Sequence, residues 1–119
     1  MTDCAAVEAE VAYRLGQGDA LSAFDCAAAS RRDGIESRRL RYLMVRALAA
    51  SGDSLGAMHL YEQLDLAATG DVDSLALAGR IWKDEAFDHE GAERALFLRK
   101  AAAAYENAFK RSGADFPAI

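Results

Sequence analysis

Residues 38–64 read RRLRYLMVRALAASGDSLGAMHLYEQL, and this stretch decides the fold. Leu40, Leu43, Met44, Ala47 and Leu48 recur every three or four positions, which lines one side of a helix. Gly52-Asp53 interrupts the run. Glycine accepts the left-handed geometry that ends a helix, and aspartate accepts hydrogen bonds from the free amides that begin the next. Ala57, Leu60, Tyr61 and Leu64 then resume the same spacing. Two amphipathic helices across a tight turn make a helical hairpin.

Working outward, the same punctuation recurs at Gly18-Asp19, 34 positions earlier, with Ala23 in register with Ala57 and Ala27 with Tyr61. Thirty-four residues is the tetratricopeptide period. Gly70-Asp71 supplies a third turn, and Gly34 and Gly113 sit where helix ends favour left-handed geometry. These breaks predict helices near 3–16, 19–32, 35–51, 54–68, 72–88 and 91–112. In the last unit Ala78, Gly79 and Trp82 fit a first helix, while Ala101, Tyr105 and Ala108 fit a second, about ten residues late on a strict repeat. Ala92, Ala95, Leu96 and Leu98 keep a helical pattern through the charged stretch Asp88 to Lys100, so the extra length reads as helix. The expectation is an all-α, tetratricopeptide-like right-handed array of about three antiparallel hairpins, its last helix lengthened.

Composition agrees. Of the 119 residues 52% are hydrophobic, but 27 of these are alanine, the best helix former and small enough for close helix contacts. Strand formers are scarce, and the single proline, Pro117, leaves the preceding chain without a compulsory break. The length is that of a single domain, 1–119. A net charge of −5 argues against general affinity for nucleic acid or for an anionic membrane. Cys4 and Cys26 lack metal or redox spacing and read as small packed side chains; with no signal peptide or long apolar run, the expected location is cytoplasmic.

The run Leu77-Ala78-Gly79-Arg80-Ile81-Trp82-Lys83-Asp84, then Arg99-Lys100-Ala101-Ala102-Ala103-Ala104-Tyr105-Glu106-Asn107-Ala108-Phe109 and Asp115-Phe116-Pro117-Ala118-Ile119, is similar to a narrower pattern. It resembles the tetratricopeptide-like TRAF-binding domain of apoptosis signal-regulating kinases and its bacterial relatives. The narrow resemblance covers residues 73–119 and the looser repeat nearly all the chain; Trp82 stands where the family more often has tyrosine, and the first repeat is degenerate. It implies a sensor or scaffold module beside signalling or defence effectors. The family continues into another helix beyond the position of Ile119, so the chain reads as a module of a longer protein, with self-association through an apolar C-terminal end. Neither kinase activity nor the TRAF partner transfers with the fold.

No catalytic motif, no metal-ligand spacing and no cofactor motif occurs, so the reading is non-enzymatic, without cofactor or metal. His59 reads as a packed or partly exposed helical histidine, and Asp88-His89-Glu90 as a solvated helix junction. Glu8 and Glu10 diverge on a helix, as do Asp84 and Glu85. Charge segregation is the unusual feature. Arg31, Arg32, Arg38, Arg39, Arg41 and Arg46 crowd one stretch, and no Lys or Arg lies between Ala47 and Gly79. Repeat register puts Arg39, Tyr42 and Arg46, with Arg80 and Lys83, on the first helices of their hairpins, the helices that line the concave side of such arrays. Arginine offers a planar fork to carboxylate or phosphate and tyrosine a flat face. The expected partner is therefore a protein or acidic peptide. The alternatives are an anionic, phosphate- or nucleotide-containing small ligand sensed by a regulatory domain, a structural oligomerisation module, or plain internal pairing of Arg80 and Lys83 with Asp73, Asp84 or Glu85.

Overall fold

The computed structural model describes residues 3–112. Among them the chain forms α1 (Cys4–Gly16), α2 (Ala20–Arg32), α3 (Arg38–Ala50), α4 (Ser54–Gln63), a 3-10 turn (Leu66–Thr69), α5 (Val72–Ala86) and α6 (Gly91–Arg111), with no strand. It divides into two compact units, residues 1–60 and 61–119.

In the first unit α1, α2 and α3 pack pairwise on one another. Each helix start is fixed by a side chain that accepts an otherwise orphaned amide: Asp3 Oδ1 from Ala6 at 2.8 Å, Asp19 Oδ1 from Ser22 at 3.3 Å, Ser37 Oγ from Leu40 at 3.0 Å and Asp53 Oδ1 from Gly56 at 2.9 Å. The Ser37 cap starts α3 at Arg38, three residues later than the periodicity predicts, and its hydroxyl also donates to Glu8 at 2.8 Å, tying α3 to α1. Gly52 ends the preceding turn with φ of 99°, as the Gly-Asp reading requires. The core is built from Val7 and Val11 on α1, Ala23 and Ala27 on α2, and Leu40, Leu43, Met44, Val45 and Ala47 on α3. Cys4 and Cys26 are free and only half-buried, more open than packed core side chains.

The second unit departs from the periodicity at its start. The pattern predicts a helix over 54–68, but α4 stops at Gln63 because Asp65 enters the left-handed region at φ 54°. The reversal turns Leu66 fully inward at the head of the 3-10 turn, and burial of that side chain offsets the strain. Tyr61 donates its hydroxyl proton to the Ser74 carbonyl at 2.8 Å, joining the end of α4 to the first turn of α5. Burial, assisted by Asp71, pushes its pKa up to about 12.

α5 and α6 form the most extensively packed helix pair. At Gly79 the Tyr105 ring lies where a side chain would stand, 2.9 Å from the position of an added Cβ, so the pairing needs a residue without one. Ala101 and Ala108 continue the small-residue seam on α6, which at 21 residues is the lengthened helix the sequence predicts. Trp82 stacks on Phe97 with centroids 5.6 Å apart. Beyond it, His89 bridges the helices between two carboxylates, Nε2 to Glu85 and Nδ1 to Glu93, both 2.8 Å. Glu85 is buried, and the His89 ring lies 4.8 Å from Phe97. Arg94 closes the joint by donating to the carbonyls of His89 at 2.8 Å and Ala86 at 3.3 Å, the latter also accepting from the His89 amide. The junction read as simply solvated is therefore a built clasp. Gly113 and the segment Asp115 to Ile119 lie outside the described residues.

Two outcomes follow from this packing. Gly79→Ala is expected to destabilise the fold by about 1–2 kcal/mol despite its gain in helix propensity, because overpacking costs more than that gain. Denaturant unfolding checks it, and in a Tyr105→Ala background the same Gly79→Ala substitution should cost little. The hydrogen bond to Glu85 holds the His89 pKa above the usual 6.5, with partial burial opposing it and Glu93 adding to it. The clasp holds the charged imidazolium, so its contribution is complete below the usual value and fades as pH rises through the raised one. Titration by NMR in a His59→Gln background should give a midpoint above 6.5, and Glu85→Gln should move it down.

Candidate functional site

The six-arginine stretch resolves into paired and unpaired members. Glu36 takes Arg31 through Nη2 at 3.0 Å and Arg41 through Nε at 2.9 Å, joining α2 to α3. Partial burial pushes the Glu36 carboxyl up, but hydrogen bonds from Arg41 and Arg31 outweigh it and hold its pKa below the usual carboxylate value. These two arginines thus share one internal carboxylate, which offsets one of their two charges.

Of the four other arginines, Arg39 and Arg46 stand with Tyr42 three and four positions apart on one face of α3, while Arg32 and Arg38 are exposed. Arg39 is exposed, whereas Tyr42 and Arg46 are half-buried. The Arg39 guanidinium lies over the Tyr42 ring, 5.0 Å from its centroid, a cation–π contact that holds the fork in place and leaves its N–H edge open. Neither Arg39 nor Arg46 is in an ion pair among the described residues.

In the second unit Arg80 and Lys83 are exposed on α5 and are likewise without an ion pair among the described residues. The internal pairing with Asp73, Asp84 or Glu85 is therefore not what the structure contains: Glu85 is turned to His89. Trp82, between the two cations in sequence, is a packing residue stacked on Phe97, with Lys100 Nζ 4.5 Å from its ring centroid. The sequence-predicted residues thus form two sets, one on α3 and one on α5, each coherent within its own helix.

Two features escape the sequence reading. The Glu85, His89 and Glu93 clasp was signalled by a spacing of four and four, obscured by the helix break between its members. The second is apolar. Val72, Leu98, Tyr105 and Phe109 are 37–45% exposed, too open for the core positions that the repeat register implies for Tyr105. His59 is exposed. Among the described residues no group of three or more His, Cys, Asp or Glu could hold a metal ion, and no helix is long and apolar enough to cross a membrane.

Comparison with known proteins gives one finding. The family described as Tetratricopeptide Repeats-Sensor matches residues 18–119, which takes in both Gly-Asp turns of the 34-residue repeat and the whole α5–α6 pair. No curated protein and no solved structure matches the chain. The all-α, tetratricopeptide-like architecture and the matched span agree. The chain belongs to the Tetratricopeptide Repeats-Sensor family, helical-repeat domains of the interaction or sensing kind.

Proposed function

We propose that this domain is a non-catalytic recognition module that binds an acidic protein segment through unpaired cations on its first-of-hairpin helices. One observation carries the reading: Glu36 engages Arg31 and Arg41, yet Arg39, Arg46, Arg80 and Lys83 have no carboxylate partner among the described residues. In a chain of net charge −5, such cations are a local exception to the overall field. On α3, Arg39 and Arg46 offer forks to carboxylates on either side of the Tyr42 ring, and half-burial of Arg46 lowers the dielectric in which its ion pair forms. Within the second unit, Arg80 and Lys83 on α5 offer a separate pair of donors. Rigid display is the mechanism, because the helix caps and packed alanines hold the donors in place before the partner arrives.

The family's sensor character fits such a role, with partner binding as the sensed event. Fluorescence anisotropy with a labelled Glu/Asp-rich peptide tests it. Binding should weaken as salt is raised, and Arg46→Ala and Arg80→Ala should each reduce affinity about threefold to tenfold. Binding indifferent to both salt and substitution would sink the reading; tighter binding of a nucleotide than of the peptide in the same assay would replace it with small-ligand sensing.

A further inference from the structure

Within the second unit, α5 and α6 present one continuous face. Val72, Ala76, Arg80 and Lys83 recur at intervals of four, four and three on α5, and Leu98, Ala102, Tyr105 and Phe109 at four, three and four on α6. The helices run antiparallel, with Gly79 against Tyr105 and Trp82 against Phe97. Val72 and Phe109 therefore mark one end of the face, while Lys83 and Leu98, each next in sequence to a stacked ring, mark the other. At the first end lies an open groove of about 270 Å³ lined by Val72, Ala76, Tyr105, Ala108 and Phe109.

The groove is apolar, and its volume falls below the roughly 300–1,000 Å³ of small-molecule pockets, which suits one or two side chains better than a metabolite. Its apolar positions repeat once per helical turn on both walls, so a third helix can lay a ridge of side chains along it. One and two turns farther along α5 the same face changes character to Arg80 and Lys83, both without an ion-pair partner among the described residues. Measured from Ala76, these cations lie about 6 Å and 10.5 Å along the helix axis.

The geometry points to an amphipathic acidic helix from a partner protein as the occupant, with a large apolar residue seated in the groove and carboxylates four and seven residues away reaching Arg80 and Lys83. The carboxylate half rests on the acidic-partner reading above; the apolar anchor is independent of it. Charge complementarity selects this occupant, because Arg80 and Lys83 follow the groove along α5 and neither is in an ion pair among the described residues, while the helical repeat turns Asp73 and Asp84 around α5 from Ala76 and Lys83. Apolar burial supplies the affinity and the ion pairs set the register.

A helix-stabilised, fluorescein-labelled peptide with one leucine and glutamates four and seven residues later tests this on the full chain. Two control peptides replace the leucine by alanine or both glutamates by glutamine. The parent peptide should bind at least tenfold more tightly than the alanine control and about fivefold more tightly than the glutamine control. Ala76→Glu, at a partly open helix position, should abolish the leucine dependence while circular dichroism shows the helical fold retained; Phe109→Ala should weaken binding in the same direction. Equal binding of the parent and alanine peptides would overturn the groove and leave the cationic reading standing. Loss of all peptide binding would overturn both. Concentration-dependent light scattering that disappears in Ala76→Glu would assign the groove to a second copy of the chain and overturn the partner-helix proposal.

Discussion

Close approach of helices through small side chains is the constraint on which this structure rests. With 27 alanines and about a fifth of its residues Leu, Ile, Val or Phe, the chain has few large side chains to fill wide gaps. It gains packing density by shortening the gaps instead. Ala23, Ala27, Ala47 and Ala57 are fully buried in the first unit, and Ala101 and Ala108 nearly so in the second. Gly79 takes the principle to its limit, letting a tyrosine ring rest against bare backbone. Polar devices then fix what the thin apolar core leaves free: side-chain caps at four helix starts, the Tyr61 bond to Ser74, and the imidazole held by two carboxylates.

Much of this was legible in the sequence because its signals are local. Gly52-Asp53 and Gly18-Asp19 mark turns through the conformational freedom of one residue and the capping chemistry of the next, and both act within a few bonds. α4 was overextended because Leu60 and Leu64 keep helical spacing up to a turn made by Asp65, a residue that adopts left-handed backbone less often than glycine does. The α3 start depended on the Ser37 hydroxyl prevailing over Ile35 and Glu36 as helix residues, a local competition that periodicity does not register.

The candidate site was legible in part for the same reason. Arg39, Tyr42 and Arg46 share a face by spacing alone. That Glu36 would claim Arg31 and Arg41, leaving Arg39 and Arg46 without an ion pair among the described residues, depends on how α2 meets α3, which no local pattern encodes. Likewise Tyr105 and Phe109 have the spacing of core residues; only the position of α6 against α5 shows that they border an open groove.

The double claim by Glu36 has a consequence for discrimination. Six arginines within sixteen residues would attract polyanions of almost any kind over distances near a Debye length. One resident carboxylate shared by two guanidiniums damps that long-range pull while leaving the remaining forks available at contact distance. Glu36 cancels one of the six positive charges and pins two of the guanidiniums at the α2–α3 junction, so the stretch is a patterned set of charges with one anchored pair and not a uniform basic field.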